Sequence, residues 1–483
     1  MKRKQRTIAI FSTIFFCVFF LFLIGCFSTH YDRTENFSFL WKVGDLRNAE
    51  LEAARLAREG PKRDRMLYYL EQGAVARMHG NTANSISALQ GASREYDRWY
   101  GPHLYTQTRL TEEFLSTLGS AESKPYKSRI YERVMLRTYQ AHNYLLAKDY
   151  GRARAEIFKT RQAIEDTKDI WSKELSAARE MSKKKQVDLT STLNAKGLPS
   201  ALREEGKTIN ALITPEIPKF INPASLYFEA LYFLHGATQR EDFTKAEYSL
   251  RILSSLYPQN QWIEEDYRAA KAGTRPTEKT VYVFFETGRA PVRVEKRFDL
   301  PLFFFSSTSR VPYLGIAFPS LRLNDQYLKD VKVFPSNDQS KAVTTKLLAD
   351  MDGIVAQEFN EYFDIELSKA ITGALSKGGL QYLATNSVRS ENDLARSTVG
   401  VGAGMLAHAT TRADLRSWST LPKQVRFCKI QSPRDLKLTL SGVGTNLSTS
   451  VNLENKQTQL VWIRSISAFT PLRIVGVCPL SQN

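Results

Sequence analysis

The sequence predicts a two-part fold: an α-helical region over 45–272, then an α+β region over 273–483 with a mostly antiparallel sheet. From about Asp45 to Ala272, apolar residues recur at spacings of three and four, as they do on one face of a helix. The composition changes at Lys271–Thr280. Beyond it, short β-branched and aromatic segments alternate with Gly and Pro, which is typical of strands joined by turns.

Residues 1–25 have the pattern of a secretory signal peptide. Four basic residues precede an uncharged, phenylalanine-rich run from Thr7 to Ile24. An uncleaved membrane anchor is the alternative, because about 18 apolar residues are the shortest run that spans a bilayer. The run closes with Leu-Ile-Gly-Cys at 23–26, which resembles the lipobox of bacterial lipoproteins. The resemblance implies that Cys26 is acylated, by palmitate or a similar chain, and becomes the mature N-terminus.

The residue after Cys26 bears on which membrane holds the protein. It is Phe27, not the Asp that resembles an inner-membrane retention signal. We therefore expect a location in the cell envelope, on the periplasmic face of the outer membrane. Residues 26–44 then form a lipidated tether, and two or more acyl chains make such an attachment effectively stable.

The formal net charge of +17 bears on the class of partner. A basic surface suits an anionic polymer, an anionic lipid or nucleic acid. Export from the cytoplasm argues against nucleic acid. The cations are also interspersed with Glu and Asp along predicted helices, which is typical of solvated helix faces.

Three segments of the helical region resemble tetratricopeptide hairpins. They cover residues 65–92, 141–157 and 225–250, and the first has a Gly80-Asn81 turn between helices that carry small residues at their contacts. An irregular helical bundle is the alternative. The longer interval before the third segment predicts an inserted charged helical arm near 166–206. We expect it to project from the body or to carry a mobile loop around Asn194–Pro199.

Within the α+β region, a helix is predicted over Lys341–Lys377 between two groups of strands. Strict alternation at Leu436, Leu438 and Leu440 predicts a strand in a sheet with one solvated face.

Cysteine usage predicts one disulfide. Cys17 lies in the signal peptide and Cys26 is used for acylation, which leaves Cys428 and Cys478 in predicted strands. An even pair in an oxidising compartment favours a bond between them, with two buried free thiols as the alternative.

No catalytic, metal or cofactor motif is found. The six His residues lack ligand spacing, and neither a Cys-x-x-Cys nor a Gly-x-Ser-x-Gly motif occurs. The sequence therefore predicts a protein that is not an enzyme and has neither cofactor nor metal.

One constellation precedes the final strands: Asp414, Arg416 and Trp418, followed by Leu-Pro at 421–422. It predicts a structured crossover in which Arg416 either pairs with Asp414 or stacks on the indole ring. Trp418 is predicted to be a core anchor, with a ligand platform as the alternative. Together with the segment 351–359, the constellation resembles a family of uncharacterised bacterial lipoproteins with a tetratricopeptide-like helical N-terminal half. The resemblance implies a layout and a location, and no catalytic residues.

These observations lead to three hypotheses. The first is a membrane-anchored envelope lipoprotein that acts as a protein-interaction scaffold or as a regulator of a cell-envelope complex. The second is a peptidoglycan- or anionic-lipid-binding module that uses the basic surplus. The third, less favoured, is an enzyme of unrecognised type.

Overall fold

A computed structural model describes residues 29–100, 124–184, 200–213, 221–301, 313–363, 365–367, 370 and 412–480. The predicted signal peptide and Cys26 lie outside these residues, as does the predicted loop around Asn194–Pro199. Within the described ranges, no helix is both long enough and apolar enough to cross a membrane.

Helices dominate the first part of the chain. They are α1 (His30–Val43), α2 (Leu46–Glu59), α3 (Arg65–Met78), α4 (Thr82–Tyr100), α5 (Ile130–Leu146), α6 (Tyr150–Lys184), α7 (Ser200–Asn210), α8 (Pro223–His235), α9 (Arg240–Leu256) and α10 (Gln261–Ala272). The first of them lies within the tether predicted over 26–44. Phe37 and Trp41 are buried in a core cluster there, so residues 30–43 form a packed helix rather than a tether.

Strands dominate the second part. They are β1 (Thr280–Thr287), β2 (Val292–Pro301), β3 (Tyr313–Arg322), β4 (Val331–Pro335), β5 (Val343–Thr344), β6 (Lys346–Asp350), β7 (Gln424–Gln431), β8 (Lys437–Gly442), β9 (Ser448–Asn452), β10 (Thr458–Ser465) and β11 (Arg473–Pro479). A further helix, α11, covers 351–363 between β6 and β7.

Successive helices pack in pairs joined by short turns: α3 with α4, α5 with α6, and α8 with α9. In the first pair, the turn lies at Gly80, whose φ of +85° favours glycine. The two helices approach closely at Gly73, because a Cβ there would lie 2.5 Å from the Leu89 side chain. The predicted helical first half is thus confirmed. Its organisation as a tetratricopeptide-like solenoid stays a prediction.

Among the described residues, five strands form the central sheet in the order β11-β10-β1-β7-β6. Only β1 and β10 run parallel in it, so the predicted mostly antiparallel arrangement is confirmed. β1 and β10 are buried along their whole length because layers cover both faces of the sheet. A sheet of β5, β4, β8 and β9 covers one face, and helices cover the other.

Alternate residues of β1 enter two different cores. Val283 packs with residues of β4 and β8, including Leu438 and Leu440. These two leucines are buried and their neighbours in β8 are less so, which confirms the predicted alternation for them, whereas Leu436 lies before β8 begins. Tyr282 and Phe284 belong instead to the core shared with the helices. The helical half and the central sheet therefore bury apolar area against each other.

The predicted helix over Lys341–Lys377 is wrong in its first part, is confirmed over 351–363 by α11, and lies outside the described residues from 371 onwards. Residues 343–350 form β5 and β6, and β6 pairs with β7 at the edge of the central sheet. Asp350 ends the strand and its carboxylate accepts a hydrogen bond from the Asp352 backbone N–H, so that α11 begins there. Pairing with a sheet edge has outweighed the helical spacing of the apolar residues.

The described part of the charged arm does not project from the body. Trp171 and Leu175 of α6 pack against Tyr362 and Ile365, which follow β6 in the chain. The Trp171 indole N–H also donates a 3.1 Å hydrogen bond to the Glu361 carbonyl. These contacts fix this part of α6 against the second half of the chain.

The predicted Cys428–Cys478 disulfide is wrong. Both thiols are free and buried. Cys428 lies on β7 and Cys478 on β11, with β1 and β10 between them, a separation of about 14 Å at the usual strand spacing. They also belong to the cores on opposite faces of the sheet. No disulfide bridges such a distance.

Candidate functional site

The predicted constellation at 414–418 lies where the helices meet the central sheet. The Arg416 guanidinium pairs with Asp414 through two hydrogen bonds of 2.8 and 2.7 Å, which is the first of the two predicted arrangements. It does not stack on Trp418. Its NH1 group instead donates a 2.8 Å hydrogen bond to Asp64, at the start of α3. The side chains of Arg416 and Asp64 are each only 1 % exposed.

Basic side chains from several elements surround Asp64. Burial alone would raise the pKa of its carboxyl, but His30 and Arg416 outweigh burial and hold that pKa well below its ordinary value. Arg33 adds a 3.0 Å ion pair from α1. The carboxylate therefore joins α1, the start of α3 and the crossover before β7.

Trp418 is a core anchor, as predicted. Its side chain is buried, and its ring contacts Tyr139 edge-on at a centroid distance of 5.7 Å. The indole N–H donates to Thr420, so the buried ring leaves no orphan donor there. Nothing in this geometry presents the ring as a ligand platform.

Glu71 of α3 accepts hydrogen bonds from the next two residues of the crossover. Ser419 donates through its backbone N–H and hydroxyl, at 2.7 and 2.8 Å, and Thr420 does so at 3.2 and 2.6 Å. Burial raises the pKa of Glu71 to about 7, although these donors oppose the shift. No cation offsets the buried charge among the ion pairs of the described residues.

Glu132 of α5 is a second buried carboxylate that accepts a hydrogen bond from the crossover. Its carboxylate accepts from the Tyr126 hydroxyl, from the Arg129 backbone N–H and from the Trp418 backbone N–H. Burial raises its pKa, again against these donors. One carboxylate thus fixes the start of α5 to the crossover.

Glu358 of α11 caps the same helix from outside. It accepts hydrogen bonds of 2.9 and 3.1 Å from the backbone N–H groups of Ile130 and Tyr131, the first two residues of α5. A carboxylate at a helix N-terminus satisfies orphan donors and complements the helix dipole. Beside it, Arg129 pairs with Glu366 at 3.1 Å.

A sixth carboxylate, Glu286 of β1, lies between two arginines. Arg77 of α3 approaches it at 3.2 Å and Arg464 of β10 at 3.4 Å, and all three side chains are almost fully buried. The Arg77 guanidinium also lies 4.2 Å from the ring centroid of Tyr139 and 4.7 Å from that of Trp462. This contact joins the helices to the centre of the sheet.

We call this set the ionic seam. Its members are Asp64, Glu71, Arg77, Glu132, Glu286, Glu358, Asp414, Arg416 and Arg464.

Carboxyls with raised pKa values are also typical of general acids, which must reach a substrate. In the seam, the carboxylate oxygens of Glu71 and Glu132 already accept hydrogen bonds from donors of the protein itself. The cavity beside Glu358 has a volume of about 10 Å³, enough for about one water and too small for a substrate. Among the described residues, no three His, Cys, Asp or Glu side chains are arranged to hold a metal ion. The hydrogen bonds and ion pairs of the seam therefore hold secondary-structure elements together.

The sequence pointed to Asp414 and Arg416 but not to the other members of the seam. Glu71 and Arg77 stand on the buried face of α3, so a charged residue at an apolar helix position was the available signal. Glu132 stands three positions after Arg129, the spacing of a capping box. No local signal marked Glu358, because its partners are 228 and 227 positions away.

Comparisons with protein families, with curated proteins and with solved structures found no match to this chain.

Proposed function

We propose that the protein is a lipid-anchored envelope lipoprotein that is not an enzyme and acts as a scaffold for an envelope protein. The proposal takes its anchor, Cys26, from the sequence motif at 23–26. The observation that carries the scaffold role is an exposed aromatic and cationic surface on α6 and α9.

We call this surface the α6–α9 patch. Tyr248 is 50 % exposed and Phe158 is 41 % exposed. The guanidinium groups of Arg161 and Arg251 lie 5.3 and 5.7 Å from the Tyr248 ring centroid. Tyrosine and arginine are the residue types that most often dominate binding energy at protein interfaces.

Two cations flank Phe158 in the same way. Arg154 lies 5.4 Å and Lys245 5.9 Å from its ring centroid. Both also pair with Asp242, at 2.6 and 3.3 Å, which holds them in place beside the ring. Side chains that are ordered before binding lose less entropy on binding. The patch therefore suits an acidic segment of a protein partner.

The seam supports the same function. It joins α3 to the central sheet through Glu286 and α5 to α11 through Glu358, and α6, which carries part of the patch, packs on α5. The tetratricopeptide-like interpretation of the hairpins α3–α4, α5–α6 and α8–α9 is part of the proposal, because stacked hairpins present extended surfaces to partners.

In-cell crosslinking followed by affinity capture tests the proposal. Wild type is compared with Cys26→Ser, with the patch variant Phe158→Ala/Tyr248→Ala, and with Leu347→Ala/Val443→Ala, which removes two apolar side chains exposed elsewhere. We expect one envelope protein to be captured by wild type and by the last variant, and lost with the first two. Capture that is unchanged in the patch variant contradicts the patch, and capture unchanged by Cys26→Ser contradicts the anchored scaffold.

A further inference from the structure

Helix α1 has an apolar stripe that faces away from the core. Phe37 and Trp41 are buried on one side of the helix. Tyr31, Phe39 and Val43, at multiples of four positions, are 66 %, 61 % and 55 % exposed on the other side, which they share with the exposed Glu35. Large apolar side chains in a row on a helix surface mark a contact with a partner or a membrane.

A second exposed aromatic lies at the end of this helix. Phe469, in the turn between β10 and β11, is 81 % exposed, the highest value among the large apolar side chains described. The next residue, Thr470, contacts Gly44, where α1 ends: a Cβ at Gly44 would lie 3.5 Å from it. Phe469 is therefore exposed close to the C-terminal end of α1.

Three cations without an acidic partner among the described residues lie at the same end. Lys42 belongs to α1. Arg289 lies near Lys42 through two contacts of Arg464. The Arg464 guanidinium contacts Trp41, the residue before Lys42, and donates a hydrogen bond to the carbonyl of Gly288, the residue before Arg289. Arg322 stands opposite Val292 in the β2–β3 pair. Burial and then repulsion by Arg289 and Arg322 lower the pKa of Lys42, so the three charges are close enough to repel one another.

The proposed anchor lies beside this surface. Thr29, the N-cap of α1, stands three positions after Cys26, and an extended chain spans roughly 10 Å over that length. A bilayer that holds Cys26 is therefore within reach of the whole of α1, which is about 21 Å long.

We propose that the surface formed by Tyr31, Phe39, Val43 and Phe469 with Lys42, Arg289 and Arg322, the anchor-end face, lies on a bilayer that contains anionic phospholipids. The rings and Val43 enter the headgroup region and the three cations contact lipid phosphates, with α1 parallel to the membrane. This inference rests on the acylation of Cys26 and adds the orientation of the anchored body.

Charge complementarity selects a lipid surface over an apolar protein groove. Three mutually repelling cations without acidic partners are stabilised by a surface of negative charge. Each Lys or Arg close to an anionic bilayer strengthens binding about fivefold, and three together about 100-fold. The contact should weaken as salt rises, because exposed charges are screened.

A fluorescent reporter on the acylated protein in vesicles tests this orientation. A polarity-sensitive dye is attached at Ala468→Cys, beside Phe469, or at Ala272→Cys, before β1 and so at the opposite end of that strand from Arg289. The two native thiols are buried and do not compete for the dye. Vesicles are zwitterionic or contain anionic phospholipid, and acrylamide, a neutral quencher, reports exposure of the dye.

We expect the Ala468→Cys dye to be protected from acrylamide only on anionic vesicles, and the Ala272→Cys dye to stay accessible. The variant Lys42→Gln/Arg289→Gln/Arg322→Gln should reduce the ratio of protected to accessible dye by about 100-fold. The variant Lys271→Gln/Arg434→Gln/Lys437→Gln removes three cations from the opposite end and should leave that ratio unchanged. Equal unfolding midpoints would show that both variants remain folded.

Two results overturn the proposal, and they are distinguishable. A vesicle-bound protein whose Ala468→Cys dye is equally accessible on both lipids would disprove the orientation and leave the anchor intact. A protein that does not float with vesicles at all would disprove the anchor, and the orientation with it.

Discussion

Arg416 donates a 2.8 Å hydrogen bond to Asp64 across 352 positions of sequence, and both side chains are almost fully buried. Through this pair, the crossover before β7 is held to the start of α3. The fold thus joins its two halves through charges as well as through apolar packing.

Replacing Arg416 should strongly destabilise the protein. Arg416→Met leaves Asp64 and Asp414 without this cation, and breaking a buried ion pair costs about 3–5 kcal/mol in free energy of unfolding. Urea unfolding provides the measurement. The control is Arg58→Gln, which removes an exposed pair with Glu59 and should leave the free energy of unfolding almost unchanged, because solvent screens that pair. Equal effects of the two variants would contradict the proposed joint.

Because of Glu71, the free energy of unfolding should fall as the pH rises from 4.5 to about 7. Its folded pKa, about 7, exceeds the ordinary 4.5, so the folded state binds more protons than the unfolded state between these values. The destabilisation caused by the ionised Glu71 carboxylate is absent below pH 4.5 and complete above about pH 7, where it amounts to about 3 kcal/mol.

The matched variant is Glu71→Gln, which has no charge to titrate. The free energy of unfolding of wild type minus that of Glu71→Gln, measured by urea unfolding across this pH range, should decrease with rising pH. A constant difference would show that the pKa of Glu71 is not raised.

Removing the Glu358 cap should destabilise the start of α5. Glu358→Ala leaves the backbone N–H groups of Ile130 and Tyr131 without acceptors, at a cost of about 2 kcal/mol or more. Glu358→Gln keeps one acceptor oxygen and should lose less. Urea unfolding midpoints in the order wild type, Gln, Ala support the cap, whereas equal midpoints for the two variants would argue against it.

The two buried thiols should be reduced and unreactive in the native protein. Burial raises the pKa of Cys478 to about 12 and that of Cys428 further. Thiolate is the reactive form, so alkylation should be slow until the protein is unfolded. Iodoacetamide in denaturant without reductant, followed by peptide mass spectrometry, should find both cysteines alkylated. A peptide that links Cys428 to Cys478 would contradict the strand order.

Local patterns predicted the elements that local interactions determine. The Gly80 turn, the helix pairs and the alternation at Leu438 and Leu440 depend on residues close in sequence. The helix predicted over Lys341–Lys377 failed in its first part. Residues 343–350 have a helical spacing of apolar residues but also fit the edge of a sheet whose other strands lie far away in sequence.

The seam could be predicted only in part for the same reason. Asp414 and Arg416 are two positions apart, so their pairing was within reach of the sequence. Asp64, Glu71 and Glu358 find their partners across hundreds of positions, and only the packing of α3 and α11 on the sheet brings them together. The disulfide prediction failed likewise, since compartment and strand character do not reveal which strands are neighbours.

Acylation of Cys26 is the claim on which the location, the scaffold role and the membrane orientation all depend. Mass spectrometry of the N-terminus of the protein extracted from membranes tests it most directly. We predict a mature chain that begins at Cys26 and carries acyl groups. A chain that still begins at Met1, or one that begins at an unmodified Cys26, would contradict the account.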